Sequence, residues 1–222
     1  ETSNFLTTKI FEFCKKIDIQ VFSSPFDIDA VNFLEKLKCP AYKIASPEIN
    51  HIPLIDKISS TKKPIILSLG LAEKKDIDLA IKTIRKNGNN KIVLLQCVSS
   101  YPASVKEQNL KTIPILKKRF GVLSGLSDHT KGFVAPLTAV AIGANVIEKH
   151  FNLSNNKSVD SFFSTNEKQF KEMVQNIRMT EAALGTGKIK ISKESKINFN
   201  SRRSIYVSED IKKDEVFTKS NI

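Results

Sequence analysis

Two histidines end neighbouring β-type runs, and their positions suit metal chemistry. His129 lies near the end of VLSGLSDHT, and His150 lies near the end of NVIEKHF, 21 residues later. The apolar, helix-like GFVAPLTAVAIGA between them predicts a parallel βαβ unit. In a barrel, both imidazoles would then emerge at the C-terminal rim, where active sites lie. Together with the nearby Asp128 and Glu148, they could bind a divalent metal with open positions. Ordinary strand-capping hydrogen bonds are the alternative.

A lysine in the middle of another β-type run indicates an anion site. Lys43 lies between Tyr42 and Ile44 in AYKIAS, where a buried cation is costly unless it meets a negative partner. That partner could be a ligand phosphate or carboxylate, or Glu48 in an ion pair inside a barrel. Polar residues also end each predicted strand: Ser24; Lys43, Ser46 and Glu48; Ser68; Ser99 and Tyr101; Ser127 and His129; and His150. Together they would form an anion-binding site at the rim, although the hydroxyl of a single serine more often hydrogen-bonds to a backbone amide in a loop.

Strands and helices that alternate along the chain would position these groups. The predicted strands are residues 19–24, 41–46, 64–70, 91–102, 122–130 and 145–151. Helical periodicity is found over 5–16, 28–38, 52–60, 75–87, 107–119, 132–144 and 164–184. Ser3 and Asp27 are candidate N-caps, and Ser164 with Glu167 has the spacing of a capping box.

This alternation predicts an α/β fold, a (β/α)8 TIM barrel of which about six βα units are present. The chain opens at Glu1 without a methionine, so we expect the first two units to lie upstream. An open doubly wound sheet is the rival fold, but no GxGxxG loop follows a strand. We predict a partial barrel over residues 1–187 and a linker over 188–201. The alternating pattern of residues 202–222 predicts strands of a small β domain.

Composition narrows the classes of partner. The net charge is +12, carried mostly by lysine, which favours anionic ligands weakly and a DNA-binding surface poorly. Cys14, Cys39 and Cys97 are odd in number and form no CxxC motif, which predicts a reduced, cytoplasmic protein. No apolar run approaches the roughly 18 residues of a membrane helix.

The motifs carry a specific resemblance. FSSPFD, YKIASPEI, PIILSLG, LLQCVSSYPA, GLSDHT, IEKHF and RRSIYV resemble, in order, the blocks of the sialic acid synthase family, which makes nonulosonic acids. The likeness covers nearly the whole chain, and AYKIAS, SSYPA and RRSIYV are most similar to pseudaminic acid synthases. N-acetylneuraminate and legionaminate synthases are the alternatives within the family. The resemblance implies a homodimeric enzyme that condenses phosphoenolpyruvate with an N-acetylated amino sugar, in a barrel followed by an antifreeze-like (SAF) domain.

The resemblance also implies a role for each site residue. His129 and His150 would bind Mn²⁺ or Mg²⁺, and Glu48 would be the acid–base residue. The residues expected to hold phosphoenolpyruvate are Lys43, Ser24, Ser46, Ser68, Ser99 and Ser127, whereas Tyr101 and Asp160 would face the sugar. Ser99 stands where some relatives carry an amide.

The chain departs from the family pattern in three places. Leu69 gives SLG where STG is usual, and SVDSFFS around Asp160 replaces a loop richer in glycine and proline. Two strands and most of the SAF domain are expected to be missing, which predicts that the chain by itself is inactive. The alternatives are another barrel aldolase that uses phosphoenolpyruvate and a non-catalytic fragment that binds metal or sugar phosphate.

Overall fold

The computed structural model describes residues 3–154 and 157–222, which form two units. The first unit ends at Gly185, and the second is Thr186–Ile222. All buried hydrophobic residues of the described chain lie in the first unit, the last of them at Ile177. No helix of the described residues is both long and apolar enough to cross a membrane.

The first unit is built on five parallel strands that neighbour one another in chain order. They are β1 (Tyr42–Ile44), β2 (Ile65–Ser68), β3 (Ile92–Cys97), β4 (Leu123–Asp128) and β5 (Val146–Lys149). A doubly wound sheet reverses its strand order at a switch point. This sheet has no reversal, so the rival fold is wrong.

Helices alternate with the strands and cover one face of the sheet. They are α1 (Asn4–Lys16), α2 (Ile28–Lys36), α3 (Ile52–Ser60), α4 (Lys74–Lys86), α5 (Thr112–Phe120), α6 (Val134–Ala141) and α7 (Glu167–Leu184). Ile44, Ile55, Leu67 and Ile84 belong to the largest apolar cluster, which packs α3 and α4 against β1 and β2. Both predicted N-caps form, because Ser3 Oγ accepts the N–H of Leu6 and Asp27 Oδ1 accepts that of Ala30.

The sheet is strongly curved, as an ion pair between its outer strands shows. In a flat sheet, β1 and β5 would lie about 19 Å apart, since neighbouring strands are about 4.8 Å apart. Yet Lys43 Nζ on β1 lies 3.5 Å from Glu148 Oε1 on β5. The sheet therefore curls into a half-barrel whose concave face brings these side chains together, which is consistent with a partial TIM barrel.

Three local predictions are wrong. Residues 19–24 form no strand, only an isolated bridge in which Ser23 O accepts the N–H of Lys43, because this run extends one edge of the sheet and has a single neighbour. Helix α5 begins at Thr112 instead of 107, after Asn109 takes a left-handed φ of 43°. The capping box of α7 pairs Asn166 with Gln169, since Ser164 Oγ donates to Asp160 O instead.

The predicted strands within 202–222 are also not formed. Throughout Thr186–Ile222, every residue of which is described, the regular element is a 3₁₀ helix over Ser195–Ser201. Nearly all side chains here are exposed, so the alternating pattern finds no apolar surface to cover. The boundaries 1–187, 188–201 and 202–222 and the SAF assignment stay predictions, and Glu1 and Thr2, where the first begins, lie outside the described residues.

Candidate functional site

Polar side chains gather on the concave face where the parallel strands end. Lys43 is the central cation, with only 12% of its side chain exposed. Glu148 Oε1, which lies 3.5 Å from its ammonium, also accepts the hydroxyl of Ser127 at 2.6 Å. The expected alternative, an ion pair of Lys43 with Glu48, is therefore replaced by one with Glu148.

Serine hydroxyls lie beside this lysine. The β1–β2 register pairs Lys43 with Ile66, so Ser68 lies two residues nearer the rim on the same face. Ser68 is 2% exposed, and its hydroxyl makes no hydrogen bond within the described residues. Ser46 Oγ accepts the N–H of Gly70 at 2.8 Å. Because buried hydroxyls normally have partners, Ser68 has donor and acceptor capacity for a ligand.

Gly70 allows this part of the site to close up. A Cβ at position 70 would lie 2.3 Å from Ser99 Oγ, which is far inside contact distance. The absence of a side chain at Gly70, two residues after β2, thus lets Ser99 pack against the same backbone that donates to Ser46. By contrast, Ser24 Oγ donates to the backbone carbonyl of Lys43 at 3.2 Å, at the edge of the sheet.

Glu48 follows β1 in a 3₁₀ helix and faces a partly buried environment. Burial raises the pKa of its carboxyl, although the charges of His51 and Lys43 act in the opposite direction. Its Oε2 is buried and makes no hydrogen bond within residues 3–154 and 157–222. A carboxyl with a raised pKa can hold a proton nearer to neutral pH than a solvated one, as acid–base chemistry requires.

The two histidines come together as their spacing predicted. Their ring centroids are 5.2 Å apart, and the ring of Tyr101 lies 4.3 Å from that of His129 and 6.0 Å from that of His150. Phe163 closes the group, with its ring 4.9 Å from His150 and 5.5 Å from Tyr101. Asp160 Oδ2 lies 3.6 Å from His150 Nδ1.

The backbone fixes the orientation of the His129 ring. Its Nδ1 lies 2.9 Å from the carbonyl of Val98, and because a carbonyl only accepts, Nδ1 must carry the hydrogen. Burial lowers the pKa of His129, but its hydrogen bonds to Cys97 and Val98 outweigh burial and raise the pKa overall. When the ring is neutral, Nε2 keeps the lone pair that metal-binding histidines use. Burial and the neighbouring His129 lower the pKa of His150, which favours its neutral form.

The donor set fits a cation with open coordination positions. Among the described residues there is no group of three or more histidine, cysteine, aspartate or glutamate side chains spaced to hold a metal. The two imidazoles, whose ring centroids are 5.2 Å apart, could supply two nitrogen ligands, and catalytic metal sites keep further positions for water or substrate.

Several residues of this site were not among the predicted ones. Glu148 was expected near the histidines as a possible metal ligand, and it shares the face of His150 two residues away, but its pairing with Lys43 was not predicted. Gly70 and Phe163 carried none, because their roles depend on contacts between distant segments. Cys97 Sγ also lies 3.9 Å from His129 Nδ1, which the count of cysteines could not reveal.

Comparison with known proteins agrees with this geometry. The model of the NeuB family matches residues 1–189. The chain belongs to the NeuB family. Within it, the chain is 43% identical over 217 residues to a pseudaminic acid synthase of Helicobacter pylori, covering 96% of this chain and 64% of that protein. It is 41% identical over 212 residues to an N,N'-diacetyllegionaminic acid synthase of Campylobacter jejuni, covering 94% and 64%.

A solved NeuB-like structure has the same fold. The N-acetylneuraminic acid (sialic acid) synthetase of Leptospira borgpetersenii superimposes with a TM-score of 0.83 at 32% identity, over 91% of this chain and 71% of that one. This chain spans less than two thirds of the length of the two synthases from Helicobacter pylori and Campylobacter jejuni.

Proposed function

We propose that the protein carrying this chain condenses phosphoenolpyruvate with an N-acetylated amino sugar to give a nonulosonic acid and phosphate. A pseudaminic acid synthase is the preferred form. The observation that carries the proposal is the nearly buried ammonium of Lys43 on the concave face. It shares that face with the hydroxyl of Ser68, which has no partner within the described residues, and with the two neighbouring imidazoles.

Phosphoenolpyruvate would bind at the lysine. The Lys43 ammonium would neutralise its phosphate or carboxylate by charge-assisted hydrogen bonds. Ser46, Ser68, Ser99 and Ser127 would surround the same anion. Ser24 would act on it indirectly, since its hydroxyl holds the backbone of Lys43.

The sugar would bind between the imidazoles and the aromatic group. Tyr101 and Asp160 would contact it, while the buried Phe163 holds the rings of Tyr101 and His150 in place. His129 and His150 would hold Mn²⁺ or Mg²⁺. When bound, such an ion would polarise the aldehyde oxygen of the open-chain sugar.

The proposed condensation involves four bond changes. C3 of phosphoenolpyruvate attacks the aldehyde carbon, the aldehyde oxygen gains a proton, water adds at C2, and phosphate leaves. Glu48 would move a proton as water adds, a role that its burial favours. Lys43 and the serine hydroxyls would stabilise the phosphate throughout.

Other predictions remain part of this proposal. The sugar could instead be that of an N-acetylneuraminate or legionaminate synthase, two related activities of the same site. The protein is proposed to act as a cytoplasmic homodimer. Among enzymes, the rival is another barrel aldolase that uses phosphoenolpyruvate with phosphorylated aldoses. From another functional class, the rival is a barrel that binds metal or sugar phosphate without catalysis.

Phosphate release tests the proposal. The gene product that carries this chain is incubated with phosphoenolpyruvate, Mn²⁺ and a panel of N-acetylated amino sugars and phosphorylated aldoses. We expect phosphate and a nonulosonic acid with amino sugars alone, and no turnover when Glu48 is replaced by Gln. Turnover with phosphorylated aldoses would favour the aldolase, and calorimetric binding of ligands without turnover would favour the non-catalytic barrel.

A further inference from the structure

A buried ion pair joins the two strands that carry the histidines. The β4–β5 register pairs Ser127 with Glu148 and Asp128 with Lys149. Successive residues of a strand point to opposite faces, so Ser127 and Glu148 share the concave face with the histidines. Asp128 and Lys149 lie on the opposite, helix-covered face, where Lys149 Nζ is 2.5 Å from Asp128 Oδ2.

This pair is buried and hydrogen-bonded to the backbone of Thr130. The side chains of Asp128 and Lys149 are 0% and 1% exposed. Asp128 Oδ1 accepts the N–H of Thr130 at 2.9 Å, and Lys149 Nζ donates to the carbonyl of Thr130 at 2.6 Å. Since Thr130 directly follows His129, the network holds the backbone on both sides of that histidine.

Stability alone explains such a pair poorly. Removing two charges from water costs several kcal/mol per ion, and apolar residues of similar volume are often as stabilising or more so. In some proteins a buried pair instead determines a single arrangement, because both partners lose heavily if they separate.

The position of the Asp128–Lys149 pair in the sheet indicates which arrangement it determines. Asp128 and Lys149 form the last paired rung of the β4–β5 ladder. Beyond it the strands part, because the carbonyl of His129 accepts the N–H of Ala103 and that of His150 accepts the N–H of Thr165. Each imidazole therefore belongs to the residue that directly follows the ion pair, where β4 and β5 are no longer paired with each other.

We propose that the Asp128–Lys149 pair is a positioning device for the two imidazoles, setting their separation and orientation so that both reach one divalent cation. This inference rests on the proposed metal-binding role of His129 and His150. The pair itself touches neither cation nor substrate, and it acts through the backbone of the rung that precedes the histidines.

Manganese binding by the 222-residue chain tests the proposal, with Mn²⁺ alone as the probe and EPR as the readout. Either single substitution to a neutral residue would leave a buried charge unpaired and endanger the fold, so both partners are changed together. In Asp128→Asn/Lys149→Met, we expect an unchanged circular dichroism spectrum and Mn²⁺ affinity reduced about ten-fold or more, as for other groups that orient metal ligands. The fully apolar Asp128→Leu/Lys149→Met is a second version in case the first does not fold.

Two controls separate positioning from general destabilisation. Lys149→Arg keeps a cation beside Asp128 and should retain most of the affinity. Glu35→Gln/Lys63→Met removes another ion pair of the same length, 2.5 Å, at a site away from the histidines, and it should leave Mn²⁺ affinity unchanged.

The outcomes distinguish this inference from the function on which it rests. A folded double variant with wild-type Mn²⁺ affinity would overturn the positioning role, as would an equal loss in the Glu35/Lys63 control. If the unaltered chain binds Mn²⁺ no better than His129→Ala does, the proposed metal site is wrong, and the positioning role is wrong with it.

Discussion

Lys43 is the residue whose charge most constrains the site. Its partner, Glu148, is 38% exposed and also accepts the hydroxyl of Ser127. A carboxylate that is partly hydrated and already hydrogen-bonded does not need the lysine to remain stable in the fold. The lysine is therefore available to an anionic ligand.

Replacing Lys43 by Met should strongly weaken the binding of phosphoenolpyruvate while leaving the fold intact. A hydrogen bond to a charged group contributes about 1.5–3 kcal/mol, so we expect calorimetry to show affinity lower by roughly ten- to hundred-fold or more. Lys91→Met is the matched control, since Lys91 is exposed just before β3, at the other end of the sheet. A Lys43→Met protein that is unfolded by circular dichroism would instead show that the pair with Glu148 is structural.

The three histidines allow an internally controlled test of the metal site. His129→Ala and His150→Ala should each weaken Mn²⁺ binding sharply by calorimetry, because each removes one of the two imidazoles. His51→Ala should bind Mn²⁺ normally, since His51 is exposed at the start of α3. Unchanged affinity in both His129→Ala and His150→Ala would refute a shared metal.

At the scale of elements, the approach of β4 to β5 depends on one residue without a side chain. A Cβ on Gly125 would lie 2.0 Å from the carbonyl oxygen of Val146 on β5. Backbone cannot move aside as a flexible side chain can. The two strands that carry the histidines could not keep their register if residue 125 had a side chain.

Gly125→Ala should therefore destabilise the protein by about 3 kcal/mol, at the upper end of the usual effect of overpacking. Urea denaturation followed by circular dichroism measures this free energy of unfolding. Leu123→Ala is the control in the same strand, and because Leu123 is half exposed, its loss should cost less than about 1 kcal/mol. If Gly125→Ala had the same free energy of unfolding as the unaltered chain, β4 and β5 could move apart to admit the methyl group without loss of stability.

The junction of α2 with β1 predicts a dependence of stability on pH. Glu35 accepts the hydroxyl of Tyr42 and the ammonium of Lys63. Burial raises the pKa of Glu35, but these two hydrogen bonds outweigh it and the net pKa lies below 4.5. A lowered folded pKa means that this stabilisation is present above pH 4.5 and is lost as the pH falls through the folded value.

Glu35→Gln should thus be less stable at pH 7 by at most about 1 kcal/mol, since the carboxylate is partly exposed. Its free energy of unfolding should also change less than that of the unaltered chain between about pH 5 and pH 3. Urea titrations at several pH values compare the two slopes. Identical slopes would mean that Glu35 has the same pKa in the folded and unfolded chain.

At the scale of the whole molecule, stability is concentrated in the unit that ends at Gly185. Its buried hydrophobic residues extend to Ile177, whereas the side chains of 186–194 are all exposed and that segment has no helix or strand. We expect limited trypsin digestion to cut first after Lys188, Lys190 or Lys193. Mass spectrometry should then detect a resistant fragment ending there, and initial cleavage within α3 or α4 would contradict this distribution of stability.

The sequence by itself determined the features that depend on neighbouring residues. Periodicity and caps predicted α2 and α3 within a few residues of their ends, because a helix forms its hydrogen bonds within its own segment. Alternation along β4 and β5 brought His129 near His150, because parallel neighbours end at the same rim. The local pattern misled where an element needed a partner, as in residues 19–24 and 202–222, since a strand exists only when another pairs with it.

Only the tertiary structure decided which distant side chains meet. The alternation of side chains along a strand tells which face of the sheet Lys43 occupies. Whether its ammonium pairs with Glu148 or with Glu48 depends on how strongly the sheet curves between β1 and β5. The same holds for the buried Asp128–Lys149 pair, which depends on the register of two strands. Curvature and register are set by the packing of all the strands and helices together, so no single segment of the sequence contains them.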